Sequence, residues 1–230
     1  AWRPDASGAR WRHVGGGLPS ANLIALAVCA NGALYAAADR AGVWRSTLAS
    51  PGAWTNAGSA GLANTRLTSL SCDPRSGFLY AGTNGSGTFL SIDQGANWVP
   101  LTEGLGGSIV SAIVPSRTQA WRVWAALQDG RVVRSDNAGL NWILDDTGLP
   151  SGSGFSHLVA GADGSVYVAV PSGVWRKPSG AMQWSAGTGL PAARISALWA
   201  DPVRANVLVA GVAGSGLYRS TDGGASWSAV

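Results

Sequence analysis

Apolar and β-branched residues in this chain fall in short runs of four to six, each bounded by Gly, Pro, Asn, Asp or Ser. That pattern predicts short strands joined by tight turns. One series of runs reads Leu23-Ile24-Ala25-Leu26, Leu67-Thr68-Ser69-Leu70, Val110-Ser111-Ala112-Ile113, Phe155-Ser156-His157-Leu158 and Ile195-Ser196-Ala197-Leu198. Each is followed by a second run: Leu34-Tyr35-Ala36, Leu79-Tyr80-Ala81, Val123-Trp124-Ala125, Val166-Tyr167-Val168 and Leu208-Val209-Ala210. A third comprises Val43-Trp44-Arg45, Thr88-Phe89-Leu90, Val132-Val133-Arg134, Val174-Trp175-Arg176 and Leu217-Tyr218-Arg219, after which a tryptophan opens a fourth. The predicted unit is a four-stranded antiparallel meander. It is too small to be stable alone, and radial stacking buries both of its faces against neighbours.

The tryptophans Trp11, Trp54, Trp98, Trp142, Trp184 and Trp227 are spaced by 43, 44, 44, 42 and 43 residues, the period of a propeller blade. Gly17-Leu18, Gly61-Leu62, Gly104-Leu105, Gly148-Leu149 and Gly189-Leu190 keep the same beat. The expected fold is all-β: a β-propeller of four-stranded antiparallel blades, one domain over residues 1–230, with repeats at about 11–53, 54–97, 98–141, 142–183 and 184–230. Five blades are expected. The alternatives are part of a six- or seven-bladed ring, or an open stack or two packed sheets. Trp2-Arg3 precedes Trp11 by nine residues, as Trp175-Arg176 precedes Trp184, so residues 1–10 begin a surplus half-blade. It either caps the seam of a closed ring or offers an edge for oligomerisation.

Composition agrees with short strands and anchoring aromatics: 33 Gly, 12 Trp and 12% charged residues. Glu103 is the sole glutamate and Lys177 the sole lysine, so long solvated helix faces are excluded. The net charge of +4 comes from scattered arginines, which argues against a nucleic-acid surface, where cations cluster. No window is long and apolar enough for a membrane-spanning helix. The start at Ala1-Trp2-Arg3-Pro4, with no Met, is expected of a mature form whose leader has been removed, hence an exported protein. Cys29 and Cys72 lie near the ends of corresponding strands in consecutive repeats. Two buried free thiols are the simpler expectation, and a bridge in an oxidising compartment is the alternative.

Between the third and fourth strands, Ser91, Asp93, Gly95 and Trp98 form Ser-x-Asp-x-Gly-x-x-Trp, as do Ser220, Asp222, Gly224 and Trp227. Ser135, Asn137, Gly139 and Trp142 repeat it with Asn at the acid position, while the remaining copies are eroded: Trp44 to Trp54 carries an extra residue and no acid at the tip, and Ser179 and Ala6 replace the acid in the other two. The motif resembles the Asp-box, or bacterial neuraminidase repeat, of sialidases, xyloglucanase-type glycosidases, sortilin-like receptors and photosystem II assembly and stability factors. With the intervening segments the resemblance covers essentially the whole chain. Its mechanical meaning is a staple: a short carboxylate accepts the turn's own N–H groups, Gly supplies positive φ, and Trp packs between sheets. It marks a fold, not a function.

No catalytic set is coherent. The resemblance to sialidases would imply an arginine triad, a Tyr/Glu nucleophile pair and a Phe/Tyr-Arg-Ile-Pro motif, which is absent, and Glu103 sits in an inter-blade turn. Xyloglucanase-type enzymes use two Asp across a cleft between two propellers, and here Asp73, Asp129, Asp145, Asp146 and Asp201 read as turn residues. His13 and His157 have no nucleophile elbow nearby, and metal-ligand spacing is missing, so neither metal nor other cofactor is expected. The candidate ligand residues are those that break the repeat: His157 and Trp199 on innermost strands, and Trp121 and Arg122 near a loop. The expected function is an exported, non-enzymatic binding or scaffold propeller for a glycan or protein partner. The alternatives are a glycoside hydrolase or a fragment of one, and an assembly factor presenting Arg45, Arg134, Arg176 and Arg219 to a partner.

Overall fold

The computed structural model describes residues 2–4, 10–13, 16–62, 66–105, 107–152, 154–155 and 157–230. The chain opens with a hairpin, β1 (Trp2–Pro4) and β2 (Trp11–His13), paired antiparallel with Trp2 opposite His13. The eroded turn between them, at Ala6, lies outside the described residues. Blade one is β3 (Leu23–Val28), β4 (Ala33–Ala38), β5 (Gly42–Thr47) and β6 (Thr55–Asn56). Blade two is β7 (Leu67–Cys72), β8 (Leu79–Thr83), β9 (Thr88–Ser91) and β10 (Val99–Leu101). Blade three is β11 (Val110–Pro115), β12 (Val123–Leu127), β13 (Val132–Ser135) and β14 (Ile143–Leu144). Blade four is β15 (His157–Ala160), β16 (Val166–Val170), β17 (Gly173–Lys177) and β18 (Ser185–Ala186). Blade five is β19 (Ile195–Ala200), β20 (Leu208–Val212), β21 (Gly216–Ser220) and β22 (Ser228–Ala229). Every blade is an antiparallel meander in chain order, arranged with the others as a β-propeller, and no helix occurs among the described residues.

Strand alternation gives each blade two faces, and the core lies between blades. Ala27, Tyr35 and Val43 of blade one meet Leu70, Leu79 and Trp98 of blade two, and three further clusters fill the interfaces two–three, three–four and four–five. The fourth-strand tryptophan always belongs to the later blade of its pair. Trp98, Trp142, Trp184 and Trp227 are each at most 8% exposed. The loop of the preceding blade lies on it: Trp98 N donates to Ala60 O at 2.8 Å and Trp227 N to Thr188 O at 2.9 Å. A Cβ on Gly61 would stand 2.2 Å from Trp98 O, and one on Gly189 2.3 Å from Trp227 O, both at positive φ. The Gly of the Gly-Leu beat is therefore required by this close approach.

The Asp-box turns are closed by acceptor geometry. In blade two Ser91 Oγ donates to Asp93 Oδ1, and Gly95 N donates to Ser91 Oγ, both at 2.9 Å. Asn97 N donates to the same Oδ1 at 2.9 Å. Blade five repeats this through Ser220, Asp222, Gly224 and Ser226. In blade three Asn137 Oδ1 takes the N–H of Asn141 at 2.9 Å, so the turn needs an oxygen acceptor and not a charge.

Cys29 and Cys72 are joined in a disulfide, with Cα atoms 5.4 Å apart, which corrects the expectation of free thiols. Corresponding strand ends in adjacent blades lie side by side around the axis, and sequence alone does not give that proximity. The bridge closes a loop of 43 residues, for which the chain-entropy relation gives about 4 kcal/mol. Cys72→Ser, or reduction, should lower the unfolding free energy by about 2–4 kcal/mol in urea titrations.

A second outcome concerns pH. Hydrogen bonds from Ser226 and Ser220 hold Asp222 down at about 2, and those from Asn97 and Ser91 hold Asp93 below its ordinary value. A carboxyl depressed on folding contributes stability that is complete above its unfolded pKa, about 4, and lost as pH falls through the folded one. The urea midpoint should therefore drop between pH 4 and 2. Asp222→Asn should flatten that drop while leaving the turn intact, because Asn137 already does so in blade three.

Candidate ligand-binding site

In an antiparallel meander the ends of first and third strands point the same way. The loop after β11 and the turn after β13 therefore share one end of the molecule, and Ala138 N donates to Trp121 O at 2.7 Å across them. Trp121 has φ of 67°, a left-handed conformation that costs free energy for a bulky residue. Its indole is 53% exposed and leans on Phe78, ring centres 5.9 Å apart. The next residue, Arg122, turns the other way, its guanidinium 5.9 Å from the centre of the Trp124 ring.

Arg122 borders a groove of about 310 Å³ between blades three and four, lined also by Trp124, Arg134, Asp145, Lys177 and Met182. Charges alternate along it. Arg122 Nε donates to Asp136 Oδ1, Arg134 Nη2 stands 3.1 Å from Asp136 Oδ2, Arg134 Nη1 is 3.6 Å from Asp145 Oδ1, and Lys177 Nζ donates to that same oxygen. Trp124 Nε1 donates to Asp145 Oδ2 at 3.0 Å and Trp184 Nε1 to Asp145 O at 2.6 Å. Burial pushes Asp136 up, but the hydrogen bond and charge of Arg122, with Arg134, hold it below the usual carboxylate value.

Asp145 and Lys177 are both buried. The expectation of a turn residue at Asp145 is thus corrected: it follows β14 and faces the next blade, where the other repeats place Ala57, Leu101, Gly187 and Val230. Lys177 occupies the Asp-box Ser position held elsewhere by Ser46, Ser91, Ser135 and Ser220. Sequence reasoning missed the pair, although a sole lysine in the eroded box was a usable signal. A buried ion pair is tolerated because each member is hydrogen-bonded.

A second cavity, about 320 Å³, opens at the same end, where the innermost strands converge; Trp199, Arg117, Ser71 and Val159 line it. Arg117 Nε donates to Ala160 O at 3.2 Å, and burial lowers its pKa. His157 lies two residues before Val159, toward the opposite end of β15, and does not line this cavity. Its Nδ1 is buried without a hydrogen-bond partner among the described residues, and desolvation together with the charge of Arg194 lowers its pKa. Three of the four expected ligand residues, Trp121, Arg122 and Trp199, therefore share one end of the propeller, and His157 is separate. Of the four third-strand arginines, Arg45, Arg134 and Arg176 are half-buried and Arg219 is exposed. No cluster of His, Cys, Asp and Glu fit to hold a metal occurs among the described residues.

Repeated blades and serine–carboxylate turns define an Asp-box β-propeller. The BNR/Asp-box repeat family matches residues 218–229, the last copy of the motif. The chain is similar in fold to the GH74 xyloglucanase from Xanthomonas campestris, at 22% identity and TM-score 0.73, covering 99% of this chain and 41% of that one. It is similar to the extracellular domain of BT4673 from B. thetaiotaomicron, at 15% identity and TM-score 0.69 over 92% and 28%. YCF48 from Cyanidioschyzon merolae shares 14% identity, with TM-score 0.61 over 96% and 88%. The chain thus spans about two-fifths of the xyloglucanase. A comparison with curated proteins gave no match.

The ion pair makes a quantitative expectation. Lys177→Met leaves the Asp145 carboxylate buried with a weaker cation and should cost about 3–5 kcal/mol in chemical denaturation. The double replacement Asp145→Leu with Lys177→Met should recover most of that loss.

Proposed function

We propose that residues 1–230 act as one exported, non-enzymatic binding propeller that recognises a protein partner through the end bearing Trp121, Arg122 and the groove between blades three and four. The observation carrying this reading is the strained, exposed Trp121 beside an arginine already fixed against Trp124 and Asp136. Trp and Arg dominate the energetics of protein interfaces, and a pre-ordered arginine loses little freedom on binding. Arg122 and Arg134 line the groove and are more exposed than the buried Lys177, so an acidic segment is the favoured partner chemistry. Export is supported by the Cys29–Cys72 disulfide, a bond that persists in oxidising compartments. No described helix is long and apolar enough to cross a membrane. An assembly role for a larger complex is a special case of the same reading.

Glycan binding is the second reading, since an indole beside a guanidinium also stacks on a sugar ring, and a xyloglucanase shares the fold. Arrays of acidic peptides and of glycans, with xyloglucan turnover measured in parallel, separate the possibilities. Peptide binding that weakens at least tenfold in Trp121→Ala and Arg122→Ala, with unfolding unchanged, is expected. Binding only to glycans would transfer the site to the second reading, and release of sugar products would overturn the non-enzymatic one.

A further inference from the structure

The two outer faces of the blade series are unlike the four interfaces inside it. Leu70, Ile113, Leu158 and Leu198, each on the face turned to the preceding blade, are 4–7% exposed, whereas their counterpart Leu26 is 60% exposed, as is Val28. Leu23 is 36% exposed where Leu67, Val110 and Ile195 are at most 4%. On the far side, Leu217 is 55% exposed, although Val43, Val132 and Val174 in the same position are at most 1%, and Trp199 on the innermost strand of the same face is 49% exposed. Blade five therefore does not cover blade one. Both present apolar strand faces of the kind the repeat buries everywhere else.

The outer part of that face of blade one is nevertheless covered. Trp54 is only 6% exposed, its N–H donates to Gly16 O at 3.1 Å, and a Cβ on Gly17 would stand 2.3 Å from Trp54 O. This is the same loop-on-tryptophan contact that joins blades two, four and five to their predecessors. The β1–β2 hairpin thus leads into blade one as the outer half of a preceding blade. In complete blades the third strand is paired on both sides, but among the described residues β1 is paired only with β2, on one edge.

We infer that the gap receives a β-hairpin from outside these 230 residues. It is made of two strands of five or six residues with apolar side chains at alternate positions. It pairs with the other edge of β1, covers Leu26 and Val28 on one side and Trp199 and Leu217 on the other, and completes a sixth blade. Strand addition to an open edge supplies main-chain hydrogen bonds, and the two apolar faces select the side chains. A second copy of this chain fits less well, because its own inner hairpins are already paired with the third strands of their blades. Trp199 on this reading is a packing residue of the missing interface, independent of the binding end proposed above.

The protein's own inner hairpin is the probe: a peptide with the sequence of residues 67–83, with Cys72→Ser, added to the full chain. Saturable 1:1 binding is expected, with a shift in tryptophan fluorescence and new hydrogen-exchange protection at Trp2 and Arg3. Leu26→Asp should weaken binding at least tenfold without loss of stability, because Leu26 is exposed. The same residues fused behind Val230 by a flexible linker should raise Tm, which covers a peptide too unstructured to bind in trans. Concentration-dependent dimers abolished by Leu26→Asp would overturn the inference in favour of self-association. So would a peptide and a fusion that both leave fluorescence, exchange and Tm unchanged.

Discussion

The contact on which this molecule depends is the seating of each blade's fourth-strand tryptophan under the loop of the blade before it. The indole fills the space between two sheets, the backbone N–H of Trp54, Trp98, Trp184 and Trp227 is taken by the preceding loop, and a glycine at positive φ lets that loop come close. A single meander has two apolar faces and no core. Only this contact, repeated at a 43-residue beat, converts the faces into interfaces. It also gives the series a direction: each blade covers the next, so the first and last are left with one bare face each.

Blade four shows what happens when the local staple is lost. The other third strands carry a serine at or next to their last residue whose hydroxyl organises its own turn, but Lys177 reaches across to Asp145 of blade three and is buried there with it. A local hydrogen-bonded turn has been exchanged for an inter-blade ion pair. The pair lines a groove together with Arg122 and Arg134, which are more exposed and share Asp136 as a partner. A rigid charged wall beside an exposed indole is a surface suited to recognition, since its groups are ordered before a partner arrives.

Recognition and completeness are thus separate matters here. The proposed binding end is built from loops and turns within blades two to four. The bare faces belong to blades one and five, where the pattern of exposure matches that of an interface lacking its second half. Likeness to a xyloglucanase, of which the chain spans about two-fifths, carries the fold and leaves the chemistry to the particular residues.

The all-β class, the four-strand unit, its repetition and the role of the Ser-x-Asp-x-Gly turn were determined by sequence, because short apolar runs, turn residues and a steady tryptophan period are local signals. Trp121 and Arg122 were also visible, as departures from the beat. Tertiary structure alone decided the rest. It brought Cys29 to Cys72 and Asp145 to Lys177 across blade boundaries, sent His157 and Trp199 to different levels of the innermost strands, and left Leu26 and Leu217 uncovered. Each of these depends on which blade stands next to which and at what height, and a repeat read along the chain carries no information on what closes around its axis.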